Sequence, residues 1–481
     1  MKVVLFGLNA SYSHTSLAVR CLREPLEKAG FDVVLLEKNT KDSFGDLLHT
    51  LYEQRADIYG FSCYLWNITV IEPLARNLHA LLPGSKIIFG GPEVSYETER
   101  FEETFPDFII GGPGEKAIVT ICTSVRDGLP CPRFVREAEE KGSMEERGIL
   151  YRNGEMIEGK ILYYESSRGC PYHCSYCLSS VTEGIGEKSV QKTLDDLLAF
   201  ESLNVPFKII KFVDRTFNYN AERANAIWRG LLSEKYTKHY HFEVCASLLN
   251  EESFAILEQF PAGKIQLEIG LQSTHPQTLS EISRHLNPEK ILKASERIHK
   301  KGNIHVHLDL IAGLPYETYE IFQKSFNDAY GKCHQLQLGF LKLLRGTALR
   351  EKADSYGYVF RTDPPYTVLQ SRWISYEELY FLSQVSDLLE RYYDRDSFLE
   401  SLPFAVQRAE SPFRFYEGFQ HFLEGRGYAS IRSVSQQEAF RMLFLYARSY
   451  LGPQDLVLFK GIMIRDYTKR EARKPPASLF V

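Results

Sequence analysis

Three thiols crowd into one short stretch, Cys170-Pro171-Tyr172-His173-Cys174-Ser175-Tyr176-Cys177. Clustered cysteines in a reducing compartment more often hold metal than pair with each other. A structural zinc site closes with four ligands and an electron-transfer iron–sulfur cluster takes four cysteines, so three leave one coordination position open to a substrate. A zinc knuckle completed by His173 or Cys245 is the plainer alternative. A second set of candidates stands earlier in the chain: Asn9, then Ser62-Cys63-Tyr64-Leu65-Trp66-Asn67, Gly90-Gly91-Pro92-Glu93 and Gly111-Gly112-Pro113-Gly114-Glu115. Small residues of this kind allow a ligand to approach the backbone closely.

The elements that position these residues follow from periodicity. Up to about residue 126, short β-rich apolar runs (Val3 to Gly7, Asp32 to Leu36, Asp57 to Ser62, Lys86 to Gly90, Asp107 to Gly111) alternate with segments such as Ser16 to Ala29 and Ile68 to Leu82 that carry apolar residues at helical spacing. Strict alternation predicts a doubly wound parallel α/β sheet over 1–130, whose ligands bind outside the carboxyl ends of the strands. The second set of candidates occupies those ends. Residues 131–158 are charged and loop-like, with a Glu/Lys run at 137 to 146 and a hairpin turn expected at Asn153-Gly154, and read as a linker.

From 159 to 350 six strand-plus-helix units follow, with strands near 161, 208, 240, 264, 304 and 335. They predict a partial (β/α)6 barrel with its active face at the carboxyl ends of the strands. The cysteine loop follows the first of them. Residues 365–481 read as a mostly helical domain, dense in aromatics (Phe413, Phe415, Tyr416, Phe419, Phe422), with a basic end from Arg465 to Lys474 expected to fray.

Composition narrows the classes. The 481 residues suffice for about three folding units, and 44% hydrophobic with 25% charged residues and a net charge of −5 describe an ordinary globular protein. Nucleic acid is disfavoured as a partner because no strongly basic field is present. Nine cysteines without disulfide-framework spacing, and no apolar stretch long enough for a signal peptide or span, lead us to expect a cytoplasmic protein with no membrane partner.

The C-x3-C-x2-C loop with an aromatic residue before its last cysteine resembles the signature of the radical S-adenosylmethionine (SAM) superfamily, over roughly residues 160 to 350. The resemblance implies that Cys170, Cys174 and Cys177 bind a 4Fe-4S cluster whose fourth iron chelates SAM, and that reductive cleavage of SAM yields a 5′-deoxyadenosyl radical. It implies that Tyr176 contacts the adenine. Asp214, in Phe212-Val213-Asp214-Arg215-Thr216, stands where many relatives have a Gly-Gly-Glu loop for the SAM amino group. Glu243, Gln272 with Ser273, Arg284 and Asp309 look like the family's other SAM-contacting polar positions. Arg284 suits a carboxylate as a fork donor.

No G-x-G-x-x-G follows the first strand, which lowers the dinucleotide reading. Ser62-Cys63-Tyr64, with Gly90-Gly91 twenty-six positions beyond Tyr64, resembles instead the S-x-L and Gly-Gly spacing of cobalamin-binding domains. That implies a corrinoid held among Asn9, Ser62, Tyr64, Trp66, Gly90, Gly91, Pro92, Glu93, Gly112, Gly114 and Glu115. The family's D-x-H-x-x-G would fall on His14, Ser16 and Val19 and is absent, so the resemblance is to the cobalamin-dependent radical SAM group, with no protein histidine below cobalt. His14 is expected to serve helix capping or loop polarity.

The function so implied is anaerobic methylation of an unactivated carbon, with methylcobalamin as methyl donor and a small electron donor such as flavodoxin or ferredoxin. The alternatives are a cyclase or rearrangement enzyme using both cofactors and, from another class, a cobalamin-binding sensor with a structural cluster. A methylthiotransferase is disfavoured, because Cys21, Cys63, Cys122 and Cys131 form no second cluster motif. The substrate is not legible.

Overall fold

The computed structural model describes residues 1–481 apart from 103, 139–141, 182–183, 429–430, 433, 477 and 481, and apart from the side chains of 142, 143 and 180. Part of the charged run at 137–146 therefore lies outside the described residues.

The N-terminal sheet comprises β1 (Lys2–Asn9), β2 (Asp32–Asn39), β3 (Ile58–Ser62), β4 (Lys86–Gly90), β5 (Phe108–Gly111) and β6 (Phe134–Arg136), all parallel, in the order β2-β1-β3-β4-β5-β6. Val3 to Phe6 of β1 are fully buried, as a parallel strand covered by helices on both faces must be. Those helices are α1 (Leu17–Lys28), α2 (Phe44–Tyr52), α3 (Ile68–Leu81) and α4 (Glu115–Asp127). The chain leaves β1 for β2 on one side and returns to β3 on the other. The loops after β1 and β3 thus diverge and open a crevice at the carboxyl edge.

The sixth strand corrects the sequence reading. Residues 131–158 are not a free linker: Ile109 pairs with Phe134 in the β5–β6 ladder, and the Asn153-Gly154 turn forms no hairpin. Its flanks clamp α1 instead, Arg152 to Glu27 at 2.6 Å and Glu155 to Arg23 at 2.7 Å.

The second sheet, β7 (Ile161–Tyr164), β8 (Ile209–Phe212), β9 (Tyr240–Val244), β10 (Ile265–Gln272), β11 (His305–Ala312) and β12 (Gln335–Phe340), runs parallel in strict sequence order, an open barrel. In Ile265-Gln266-Leu267-Glu268-Ile269 and Val306-His307-Leu308-Asp309-Leu310 the aliphatic residues are buried and the polar ones half-buried. The period of two turns the aliphatics toward the covering helices and the polar set toward the lumen. Capping side chains start those helices where the sequence changes period: Ser189 before α5 (Val190–Glu201), Asn220 before α6 (Ala221–Leu231), Asn287 before the helix Pro288–Lys301.

The two units dock through the loop after β1. Ile161 N donates to Ser13 O at 2.7 Å, and Thr15 Oγ1 donates to Ile161 O at 2.9 Å. The C-terminal region is mainly helical, and Phe413, Phe415, Tyr416 and Phe419 are fully buried. Its end does not fray as expected. The helix Pro453–Glu471 persists because Phe459, Met463 and Tyr467 are buried, and Arg465 pairs with Glu400 at 2.6 Å.

Candidate functional site

A cavity of about 660 Å³ lies between the carboxyl edge of the N-terminal sheet and the top of the barrel. Most of the second set of candidates lines it and the flanks of the cysteine loop border it, while Cys170, Cys174 and Cys177 themselves are not in its wall. From the N-terminal side its wall includes Asn9, Ser62, Tyr64, Trp66, Gly90, Gly91, Pro92, Gly112, Gly114 and Glu115; from the barrel side Gly169, which precedes Cys170, and Leu178, which follows Cys177.

The cysteine loop is held from beneath. Asp214, fully buried, accepts from Ser166 N at 2.9 Å and Ser167 Oγ at 2.7 Å, while Arg223 donates to Ser166 O at 3.1 Å and Lys188 O at 3.0 Å. These contacts fix the two residues that lead into the loop. Burial pushes the Asp214 carboxyl up, against the lowering pull of those hydrogen bonds. The expected role of Asp214 in binding the SAM amino group is therefore corrected: its oxygens are spent on protein donors, and it supports the loop.

Within the loop Cys177 N donates to Cys174 O at 3.0 Å. Cys170 lies 3.7 Å from Thr216 Oγ1, and Arg284 donates to Cys174 Sγ at 3.6 Å. Cys245 touches the loop through Tyr172, its sulfur engaged by Tyr172 OH at 3.4 Å and Ser247 Oγ at 3.2 Å. Among the described residues no group of three or more His, Cys, Asp or Glu side chains converges on a single metal ion. Three thiols on one loop, with no fourth drawn in, fit a larger group bound through three sulfurs.

Arg284, Gln272 and Asp309 converge beside Cys174. Arg284 donates also to Gly270 O, and Gly270 is the register partner of Asp309. The ladder slips between Gly270 and Gln272, and Gln272 has φ +71°. Such bulges re-aim a side chain next to a site. Gln272 Oε1, Arg284 Nε and Asp309 Oδ1 are buried with no partner, which in a native interior calls for water, an ion or a bound group. Burial, with Glu268 and Glu243 close by, holds the Asp309 carboxyl well above its usual range. Glu243 is pushed up to about 7 by burial and the neighbouring Glu268. Burial also pushes up the Tyr176 phenol, so it stays neutral. These donors and acceptors fit the amino-acid end of SAM. Ser273 does not join them: it is fully buried and donates to Glu317 at 2.5 Å, on the side of β10 turned away from the lumen.

On the sheet side, Tyr64 and Trp66 stack at 4.2 Å and 8°. Asn67 ties their loop down by donating to Leu8 O and Ser62 O at 3.0 Å each. Ser62 Oγ is engaged by Phe6 O at 3.3 Å and Asn9 Nδ2 by His14 O at 3.1 Å. Gly91 (φ +111°) and Gly112 (φ +90°) are glycines for a reason the sequence hid. A Cβ there would stand 2.6 Å from Cys63 O and 2.3 Å from Glu137 O, so loop-on-loop packing demands them. Glu93 is likewise placed away from the cavity wall, bonded by Tyr366 and 3.3 Å from Arg345. The roomy crevice and the buried, unpartnered Glu115 Oε2 fit a large ligand rich in amide donors, such as a corrinoid.

Sequence reasoning missed an ionic web across the cavity wall: Glu115 to Arg168 at 3.0 Å and Arg147 at 3.2 Å, and Arg168 to Glu165 at 2.7 Å. It also missed the hydrogen bond of 2.6 Å between His14 Nδ1 and the Tyr163 hydroxyl. No motif announces either, because each joins segments distant in sequence.

Known proteins agree with this geometry. The B12 binding domain family matches residues 3–121, the Radical SAM superfamily matches 164–329, and a family of unknown function, DUF4080, matches 354–481. The chain is 25% identical over 438 residues to the cobalamin-dependent radical SAM methyltransferase TokK of Streptomyces tokunonensis, covering 77% of this chain and 62% of that protein. It is 24% identical over 336 residues to the hopanoid C-3 methylase of Methylococcus capsulatus, covering 64% and 63%. It thus spans somewhat under two thirds of the length of these two relatives. Among solved structures, the radical SAM methyltransferase TsrM from Kitasatospora setae, with cobalamin and a [4Fe-4S] cluster bound, superposes with a TM-score of 0.62 at 16% identity, covering 98% of this chain and 99% of that one. The cobalamin-dependent SAM radical enzyme OxsB gives 0.66 at 13%, covering 100% and 82%. The chain thus carries a B12 binding domain and a radical SAM domain that open onto one cavity, the domain pair of the cobalamin-dependent radical SAM enzymes it resembles.

Proposed function

We propose that this protein is an enzyme that methylates an unactivated carbon, using cobalamin, a 4Fe-4S cluster and SAM. The observation that carries the reading is one cavity bounded by the sheet edge and by the flanks of the cysteine loop, because a reactive intermediate and its partner must meet at close range. When bound, the cluster and SAM supply radical hydrogen abstraction and cobalamin supplies methyl transfer.

The chain's residues orient and exclude. Cys170, Cys174 and Cys177 hold the cluster through one loop, braced by Asp214. Arg284, fixed on Gly270 O and Cys174 Sγ, offers its unpaired Nε to the SAM carboxylate, and Asp309 and Gln272 offer unpaired oxygens to the ammonium or ribose hydroxyls. The Tyr64–Trp66 stack walls the corrinoid side against water. Among the described residues no helix is long and apolar enough to cross a membrane. The reductant in this reading is a small flavodoxin- or ferredoxin-type donor.

The test is anaerobic reconstitution with iron, sulfide and cobalamin. We expect about four irons per chain, one bound cobalamin, and 5′-deoxyadenosine on reduction with SAM. Transfer of label from methyl-labelled SAM to the cobalamin should follow. A protein that binds cobalamin but never takes up the label is not a methyltransferase, and one that binds no cobalamin removes the reading altogether.

A further inference from the structure

Two arginines line the main cavity, and they differ. Arg168 is paired with Glu165 and Glu115. Arg215 makes no hydrogen bond or ion pair through its side chain among the described residues, although it reaches the cavity wall beside Val213 and is exposed there.

Its direction is set by its neighbours. On one side Asp214 is buried and bonded to Ser166 and Ser167; on the other Thr216 Oγ1 donates back to Arg215 O at 2.9 Å. The turn is pinned on both flanks, and the one side chain left free enters the cavity. No carboxylate among the described residues forms an ion pair with it. Glu243 is within electrostatic range but makes no ion pair with it among the described residues, its carboxyl pushed up to about 7 by burial and Glu268, and Tyr64 on the opposite wall is a half-buried phenol. A guanidinium sealed into such a site by bulky ligands loses its water, and that loss is offset only by a paired anion. Its planar fork matches carboxylate and phosphate.

We propose that Arg215 binds the carboxylate or phosphate of the third occupant of the cavity, so that the substrate is an anionic molecule. This rests on the function proposed above, in which cobalamin and SAM fill the rest of the space. The corrinoid phosphodiester and the SAM carboxylate share this chemistry. Arg284, already beside Cys174, is the group placed for SAM.

The experiment is calorimetric titration of the reconstituted holoprotein, with cobalamin, cluster and SAM in place, with inorganic phosphate as the anion probe, comparing wild type with Arg215→Gln and Arg215→Lys. We expect phosphate affinity to fall at least tenfold in Arg215→Gln and to recover in part in Arg215→Lys, with cobalamin and SAM affinities within twofold of wild type. Equal phosphate binding in wild type and Arg215→Gln, or no phosphate binding in wild type, overturns the proposal. A tenfold loss of cobalamin or SAM affinity in Arg215→Gln assigns the anion to that cofactor and overturns the substrate assignment. A wild type that cannot load cobalamin defeats the proposed function instead, and phosphate titration of the unloaded chain still decides the role of Arg215.

Discussion

Arg284 donates from one guanidinium nitrogen to Cys174 Sγ at 3.6 Å and from the other to Gly270 O, so a single side chain couples the cysteine loop to the bulge of β10. Losing a positioning contact of this kind costs on the order of a hundredfold in rate. Arg284→Ala should make that much less 5′-deoxyadenosine while keeping bound cobalamin, and Arg284→Lys should recover part of the loss. Normal SAM cleavage by the alanine variant, measured by chromatography, would remove Arg284 from the site.

Asp214 acts without touching a ligand. Asp214→Asn replaces an acceptor of hydrogen bonds from Ser166 and Ser167 by a group that brings its own donors, and we expect a loss of about 2 kcal/mol in stability. Because those serines lead into the cysteine loop, iron content after reconstitution should fall as well. Denaturant unfolding and iron assay read the two effects separately. Unchanged iron at lowered stability would confine Asp214 to the scaffold.

Glu317 makes stability depend on pH. It is fully buried, and its carboxyl is pushed from 4.5 up to about 8 by burial, against the hydrogen bonds from Ser273 and Ser325. The folded state therefore binds this proton more tightly than the unfolded state. The contribution is complete below about 4.5 and is lost as pH rises through about 8. Melting temperature should decline from pH 6 to pH 9 in wild type, and Glu317→Gln should flatten that decline. A variant whose profile parallels wild type would show that another group controls it.

His14 lines the cavity, yet its Nδ1 is engaged by Tyr163 OH at 2.6 Å. Burial, with Lys211 and Lys208 adding, holds its imidazole below the usual histidine range. We expect paramagnetic resonance of the cobalt(II) form to lack nitrogen splitting from the protein and His14→Ala to leave the spectrum unchanged. Splitting that disappears in His14→Ala would identify His14 as the lower ligand.

The cysteine loop was legible because its pattern is local: three thiols fall within eight residues. The strand ends were legible for a similar reason. Alternation of buried aliphatic with half-buried polar residues, as in Gln266, Glu268 and Gly270, marks strand, face and direction in a few residues. Six barrel strands in sequence order followed from that pattern. The strand Phe134–Arg136 was not legible, since three residues in a charged segment carry too little period to read.

By itself the sequence determined the order of the domains, the parallel sheets and the three-cysteine loop, all of which depend on residue type and short spacing. Only the tertiary structure decided what each polar side chain faces. Asp214 and Ser273 turned from ligand candidates into supports because their partners, Ser166 and Glu317, lie 48 and 44 residues away. Glu93 turned to Tyr366, 273 residues on. Gly91 and Gly112 turned out to be set by the carbonyls of Cys63 and Glu137. Arg215 is distinguished from Arg168 by making no ion pair among the described residues, and proximity between remote segments is a property of packing that local patterns do not encode.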